Sequence, residues 1–141
     1  MTDARDTPGA AWPPPAPTER CPCLSGNPYG ECCRPFHAGE QQAPTAERLM
    51  RSRYSAFAVG DAAYLLATWH PSTRPAAGDL ELDPAQRWYR LDILDRTGGG
   101  MLGQTGTVEF VARFRLDAER GELHETSSFE KLDGKWYYLA G

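Results

Sequence analysis

Four cysteines offer most of the chemistry in this chain, and all lie within Cys21-Pro22-Cys23-Leu24-Ser25-Gly26-Asn27-Pro28-Tyr29-Gly30-Glu31-Cys32-Cys33. One pair is spaced by a single residue, the other is adjacent, and eight residues separate them. Thiolates grip Zn²⁺ tightly, and four of them make the closed tetrahedral shell of a structural rather than a catalytic site. Ser25, Gly26, Asn27 and Pro28 are turn formers, so the chain can double back and bring the pairs face to face. The expectation is a compact zinc knuckle with Cys21, Cys23, Cys32 and Cys33 as ligands. His37 is the substitute fourth ligand should Cys33 point away.

Four cysteines in a short chain have two other common uses. A disulfide framework suits a secreted chain, yet the first twenty residues have no apolar run and are rich in proline, alanine and charge. The reading is therefore a cytoplasmic chain, where permanent disulfides are rare. A redox-active pair calls for Cys-x-x-Cys after a strand, and neither feature is present.

The elements that must position the cluster follow in order. Residues 1–18 contain Pro8, Pro13, Pro14, Pro15 and Pro17, with almost no apolar residues beyond alanine and Trp12. Such a stretch buries too little surface to offset its ordering entropy, and it reads as a disordered Pro/Ala-rich tail. Residues 19–37 form the knuckle, expected to unfold on its own if its metal is lost. A linker through Gly39 and Pro44 leads to the main domain, 45–141. Thr45 is a fair N-cap and Gly60 a C-cap for a helix in which Leu49, Met50, Tyr54 and Phe57 repeat at helical spacing. Asp61 caps a second helix running through Trp69, with His70 in its last turn and Pro71 ending it. Residues 72–87 read as an irregular connection with one helical turn.

From Trp88 the period becomes two. Trp88–Arg96 places Tyr89, Leu91 and Ile93 on one face. Gln104–Leu116 places Val108, Phe110, Ala112, Phe114 and Leu116 on one face. Asp117–Gly121 is a turn, Glu122–Leu132 another strand, and Asp133-Gly134 a hairpin signal leading to Lys135–Leu139. Helices followed by an antiparallel meander make an α+β fold.

Several stretches resemble known proteins. The cysteine run, with Ser25, Gly26 and Tyr29, is similar to the SEC-C motif. Leu49-Met50-Arg51-Ser52-Arg53-Tyr54-Ser55-Ala56-Phe57, Thr68-Trp69-His70-Pro71-Ser72, Glu125-x-Ser127-x-Phe129 and Trp136-Tyr137-Tyr138 resemble the bacterial YchJ family. The resemblance implies a cone-shaped curved antiparallel sheet wrapped around N-terminal helices, like nuclear transport factor two, preceded by a small zinc knuckle. It implies structural zinc and, through SEC-C modules elsewhere, a protein contact. Lysines common in such modules are replaced here by Asn27, Pro28, Gly30 and Glu31, which weakens a chaperone, ribosome or nucleic-acid contact through the knuckle.

Arg53 falls inside the apolar stripe of the first helix, and an inward guanidinium must find an acceptor or snorkel outward. Glu125 shares the inner face of its strand with Leu123, Ser127 and Phe129, so Arg53 and Glu125 are expected to pair. Arg53, Tyr54, Trp69, His70, Glu125 and Ser127 are the candidate lining of a cone cavity for a small molecule. Glu125 and His70 are the best available acid–base pair, should the protein be an enzyme. No nucleophile elbow or Ser-His-Asp pattern accompanies them. The formal charge of −4 argues against nucleic acid and anionic membranes, and no apolar run spans a bilayer. The resulting expectation is a non-catalytic, zinc-binding adaptor or ligand-binding protein.

Overall fold

The computed structural model describes residues 15–141; the expected tail over 1–18 falls largely outside them. Thr45 Oγ1 accepts the amide of Arg48 at 3.1 Å and starts helix α2 (Ala46–Val59), which ends at Gly60 with φ 74°. It is preceded by the single turn α1 (Arg34–His37). Asp61 Oδ1 accepts the amide of Tyr64 and starts α3 (Ala62–Ala67).

Helix α3 stops two residues short of the expected Trp69. The amide of Tyr138 takes the Thr68 carbonyl at 2.8 Å, and the amide of His70 takes the Tyr138 carbonyl at 2.7 Å. Trp69 thus forms a parallel bridge to Tyr138. His70 is outside the helix, so its dipole does not bear on it. The expected helical turn in the connection is the 3-10 turn Ala77–Asp79.

Strands β1 (Gln86–Gly98), β2 (Thr105–Leu116), β3 (Glu119–Leu132) and β4 (Lys135–Ala140) form one curved antiparallel sheet in sequential order. The fold is α+β, with the sheet curving around the helices. Asp133 and Gly134 both have positive φ, 50° and 81°, as a two-residue hairpin of type I′ requires. Irregularities in the β1–β2 register fall between Trp88 and Arg90 and between Ile93 and Asp95. They insert one residue each, so Trp88, Leu91 and Ile93 share the inner face, while Tyr89 is 44 % exposed. Plain alternation had placed Tyr89 inward.

Val108, Phe110 and Ala112 of β2, Phe129 of β3 and Trp136 of β4 bury against Leu49, Met50 and Tyr54 of α2. The four cysteines belong to the same continuous buried cluster. No helix among the described residues is long and apolar enough to cross a membrane.

Candidate metal centre

The knuckle begins as a tight reversal. Arg20 bridges to Pro28, the Cys21 amide donates to Asn27 O at 3.0 Å, and Leu24 and Gly26 take positive φ to turn the chain. A 3-10 turn over Tyr29–Glu31 then delivers Cys32, and Cys33 sits at the N-cap of α1. All four sulfurs lie within 4.8 Å of one another and all four residues are buried. Cys23 Sγ is 3.6 Å from Cys32 Sγ, and Cys32 Sγ is 3.9 Å from Cys33 Sγ. Sulfurs at the corners of a tetrahedron around Zn²⁺, at 2.3 Å from the metal, stand about 3.8 Å apart. The cysteines are unbonded to one another. The donor set fits a divalent, thiophilic cation.

Electrostatics inside the cluster point the same way. A hydrogen bond from Cys21 holds Cys23 far below the ordinary thiol range, and one from Cys33 draws Cys32 down to about 6. Hydrogen bonding to Cys23 pushes Cys21 up to about 11. Mutual hydrogen bonding thus favours the charged form at some sulfurs and keeps protons on others. A dication that displaces those protons lets all four carry charge together. Ser25 Oγ, 3.1 Å from Cys32 Sγ, and Ser55 Oγ, donating to Cys33 Sγ at 3.3 Å, supply further support to the sulfurs.

His37 is committed elsewhere. Its Nδ1 is 2.7 Å from Tyr29 Oη and its Nε2 is 2.8 Å from the carbonyl of Ser52. A carbonyl only accepts, so Nε2 carries the proton and donates, while Nδ1 accepts from the tyrosine hydroxyl. Burial lowers the His37 pKa, consistent with a neutral ring. Its ring packs 4.8 Å from that of Tyr64, whose hydroxyl is 2.7 Å from Ser52 Oγ. Arg51 adds a bond to Cys23 O at 3.0 Å. The knuckle is thus fastened to α2 through His37 to Ser52, Arg51 to Cys23 and Ser55 to Cys33.

Of the six residues expected to line one cavity, Arg53 and Trp69 come together, and the others have different neighbours. Arg53, 4 % exposed, donates to Leu65 O and Thr68 Oγ1 at 2.8 and 2.7 Å and lies over the rings of Trp69 and Tyr138. It forms no ion pair among the described residues, so the expected partnership with Glu125 is replaced by a carbonyl, a hydroxyl and two aromatic faces. Burial lowers its pKa to about 10, which still leaves it charged at neutral pH. Glu125 is on the inner face as expected, but its carboxylate fills the space beside Gly141. His70 Nε2 is 3.5 Å from Glu130, not near Glu125, and its Nδ1 accepts from the Ser72 amide. Ser127 is buried opposite Val108.

Only Tyr54 of the six borders the apolar cleft of about 110 Å³ between α2 and the sheet, with Met50, Phe57, Trp88, Phe110, Ala112 and Leu123. A larger cleft of about 330 Å³, which the sequence did not suggest, lies where α1 meets α3 and Trp136, with Asp61 and Lys135 on its walls.

Comparison with known proteins fits this geometry. A family described as "YchJ, middle NTF2-like domain" matches residues 45–141, and the SEC-C motif matches residues 18–35. The chain belongs to the YchJ family. It is 54 % identical over 125 residues to a UPF0225 protein of Streptomyces coelicolor, covering 89 % of this chain and 96 % of that one. A UPF0225 protein of Ralstonia nicotianae is 49 % identical over 143 residues, covering 93 % and 96 %. The solution structure of a SEC-C motif protein from Rhodopseudomonas palustris superposes with a TM-score of 0.75 at 35 % identity, covering 87 % of this chain and 97 % of that one. A crystal structure of a SEC-C motif protein from Psychrobacter arcticus gives 0.71 at 27 % identity, covering 87 % and 81 %.

Proposed function

We propose that the chain is a non-catalytic zinc protein whose knuckle presents a contact surface to a protein partner. One observation carries this reading: four buried sulfurs within 4.8 Å of one another, enough to fill a tetrahedral shell. Soft thiolates in a tetrahedral array favour Zn²⁺ among the common divalent ions. A full protein shell leaves no position for substrate or activated water, the mark of a structural site. Beyond the cluster, the tip from Leu24 to Asn27 is exposed, and Leu24, 44 % exposed at positive φ, puts an apolar side chain at its apex. That tip offers another protein an exposed apolar contact.

Acid–base catalysis in the cone lacks a matching arrangement. Among the described residues, no carboxylate or imidazole lines the apolar cleft, and Glu125 and His70 engage different neighbours. A small ligand in that cleft would be uncharged and ring-sized.

The test pairs metal analysis with comparative partner capture. Wild type should carry zinc, Cys32→Ser should not, and a protein retained by wild type should be lost by Leu24→Asp but kept by His70→Ala and Glu125→Gln. Retention by Leu24→Asp and by zinc-stripped protein would refute the knuckle as the contact surface.

A further inference from the structure

The outer face of the sheet carries a row of three arginines that the metal site does not use. Register places Arg87 opposite Arg115, and Arg115 opposite Arg120, on three adjacent strands. Their inward neighbours Trp88, Phe114 and Gly121 occupy the next cross-strand row, so the three side chains leave the sheet on its outer side. All three are exposed. Like charges directly opposite one another are unfavourable in a sheet. The next row on the same face shows the usual remedy. Arg113 pairs with Glu122 at 3.4 Å, and Arg90 pairs with Asp92 at 2.9 Å. Among the described residues, Arg87, Arg115 and Arg120 have no carboxylate partner. In a chain with a formal charge of −4, this concentration of unpaired positive charge is a local feature, not a consequence of overall composition.

We infer that this row is a docking site for an acidic helical segment of a partner protein. Three points favour that occupant. Arginine's planar fork suits carboxylates, and one row away on this face Arg113 already faces a carboxylate, Glu122, in a single contact of 3.4 Å. The row repeats every ~4.8 Å across the strands and spans about 10 Å. Carboxylates at i, i+4 and i+7 of a helix stand about 5–6 Å apart and cover about 10 Å along its axis. Further along the strands the outer face carries Asp92, Asp95 and Glu109, and these carboxylates together with the chain's net negative charge disfavour a long polyanion that would have to run past the arginine row. This surface is distinct from the knuckle and stands whether or not the knuckle binds a partner.

The experiment titrates full-length zinc-loaded protein with an alanine-rich helical peptide of about 20 residues bearing glutamate at i, i+4 and i+7. The expected result is micromolar binding at low salt that weakens more than about tenfold at high ionic strength. The triple variant Arg87→Gln/Arg115→Gln/Arg120→Gln should bind at least about tenfold more weakly. The control Arg20→Gln/Arg34→Gln, which removes positive charge beside the knuckle, should bind like wild type. With no peptide present, the triple variant should melt at or above the wild-type temperature, because a repulsive row has been removed. Equal peptide binding by wild type and the triple variant would overturn the inference. So would a lower melting temperature for the triple variant, which would make the row structural. Tighter binding of inorganic tripolyphosphate or a single-stranded RNA oligomer than of the peptide would overturn it in favour of a phosphate ligand.

Discussion

Ser55 Oγ, from the middle of α2, donates a hydrogen bond of 3.3 Å to Cys33 Sγ. The same hydroxyl stands 3.6 Å from Cys21 Sγ. One side chain of the main domain therefore touches two of the four sulfurs, and the cluster is built onto the first long helix instead of hanging from a linker. Ser55→Ala removes a donor that offsets thiolate charge without opening a large void. Zinc affinity should fall by about 10- to 100-fold, read by competition with a chromophoric chelator. Unchanged affinity would show that the contact is incidental.

His37 should make stability depend on pH. Burial lowers its pKa in the folded state, so the unfolded chain binds more protons below the ordinary value of 6.5. The stability that depends on neutral His37 is fully present above that value and is lost as pH falls below it. His37→Gln, which keeps a donor and an acceptor, should flatten this slope between wild type and variant in chemical denaturation with zinc in excess. His37→Ala should cost about 2–4 kcal/mol, since it strands the Tyr29 hydroxyl and the Ser52 carbonyl. Parallel pH slopes for wild type and His37→Gln would exclude the histidine as their source.

Arg53 should couple to Tyr138 and not to Glu125. Its guanidinium is 4.5 Å from the Tyr138 ring centroid and forms no ion pair among the described residues. A double-mutant cycle of Arg53→Leu with Tyr138→Leu should show about 0.5–2 kcal/mol of interaction, while the cycle with Glu125→Gln should be additive within about 0.5 kcal/mol. The opposite pattern would restore the carboxylate as the partner.

The contrast between these residues shows what could be read from the sequence. Caps at Thr45, Gly60 and Asp61, the period-two stretch of β2 and the Asp133-Gly134 turn are local signals, and each element appears where local chemistry placed it. Four cysteines in thirteen residues are local too. What escaped was decided across long sequence separations. The inward stripe showed that Arg53 is buried, yet its acceptors come from Leu65 and Thr68 and its aromatic cover includes Tyr138. The end of α3 was set by β4 pairing with Thr68 and His70, not by Pro71. Tyr89 was misplaced because a bulge shifts the alternation, and no residue type in Trp88-Tyr89-Arg90 marks it. His37 had the right spacing for a ligand, and only the approach of Tyr29 and Ser52 shows its other role.

Tyr54 offers a simple stability test. Its hydroxyl is buried beside the apolar cleft and has no hydrogen-bond partner among the described residues. Tyr54→Phe removes an unsatisfied polar group at almost constant shape, so stability should be unchanged or rise by up to about 1 kcal/mol. A loss larger than about 1 kcal/mol in urea denaturation would mean that the hydroxyl has a partner in solution.

The metal content of the intact, purified chain is the most direct test. Elemental analysis combined with thiol titration under native and denaturing conditions should find one zinc per chain, four thiols protected in the native state, and all four released together when the metal is chelated. Folded protein without bound metal, or sulfurs linked to one another in the native state, would contradict the assignment of this cluster as a zinc site.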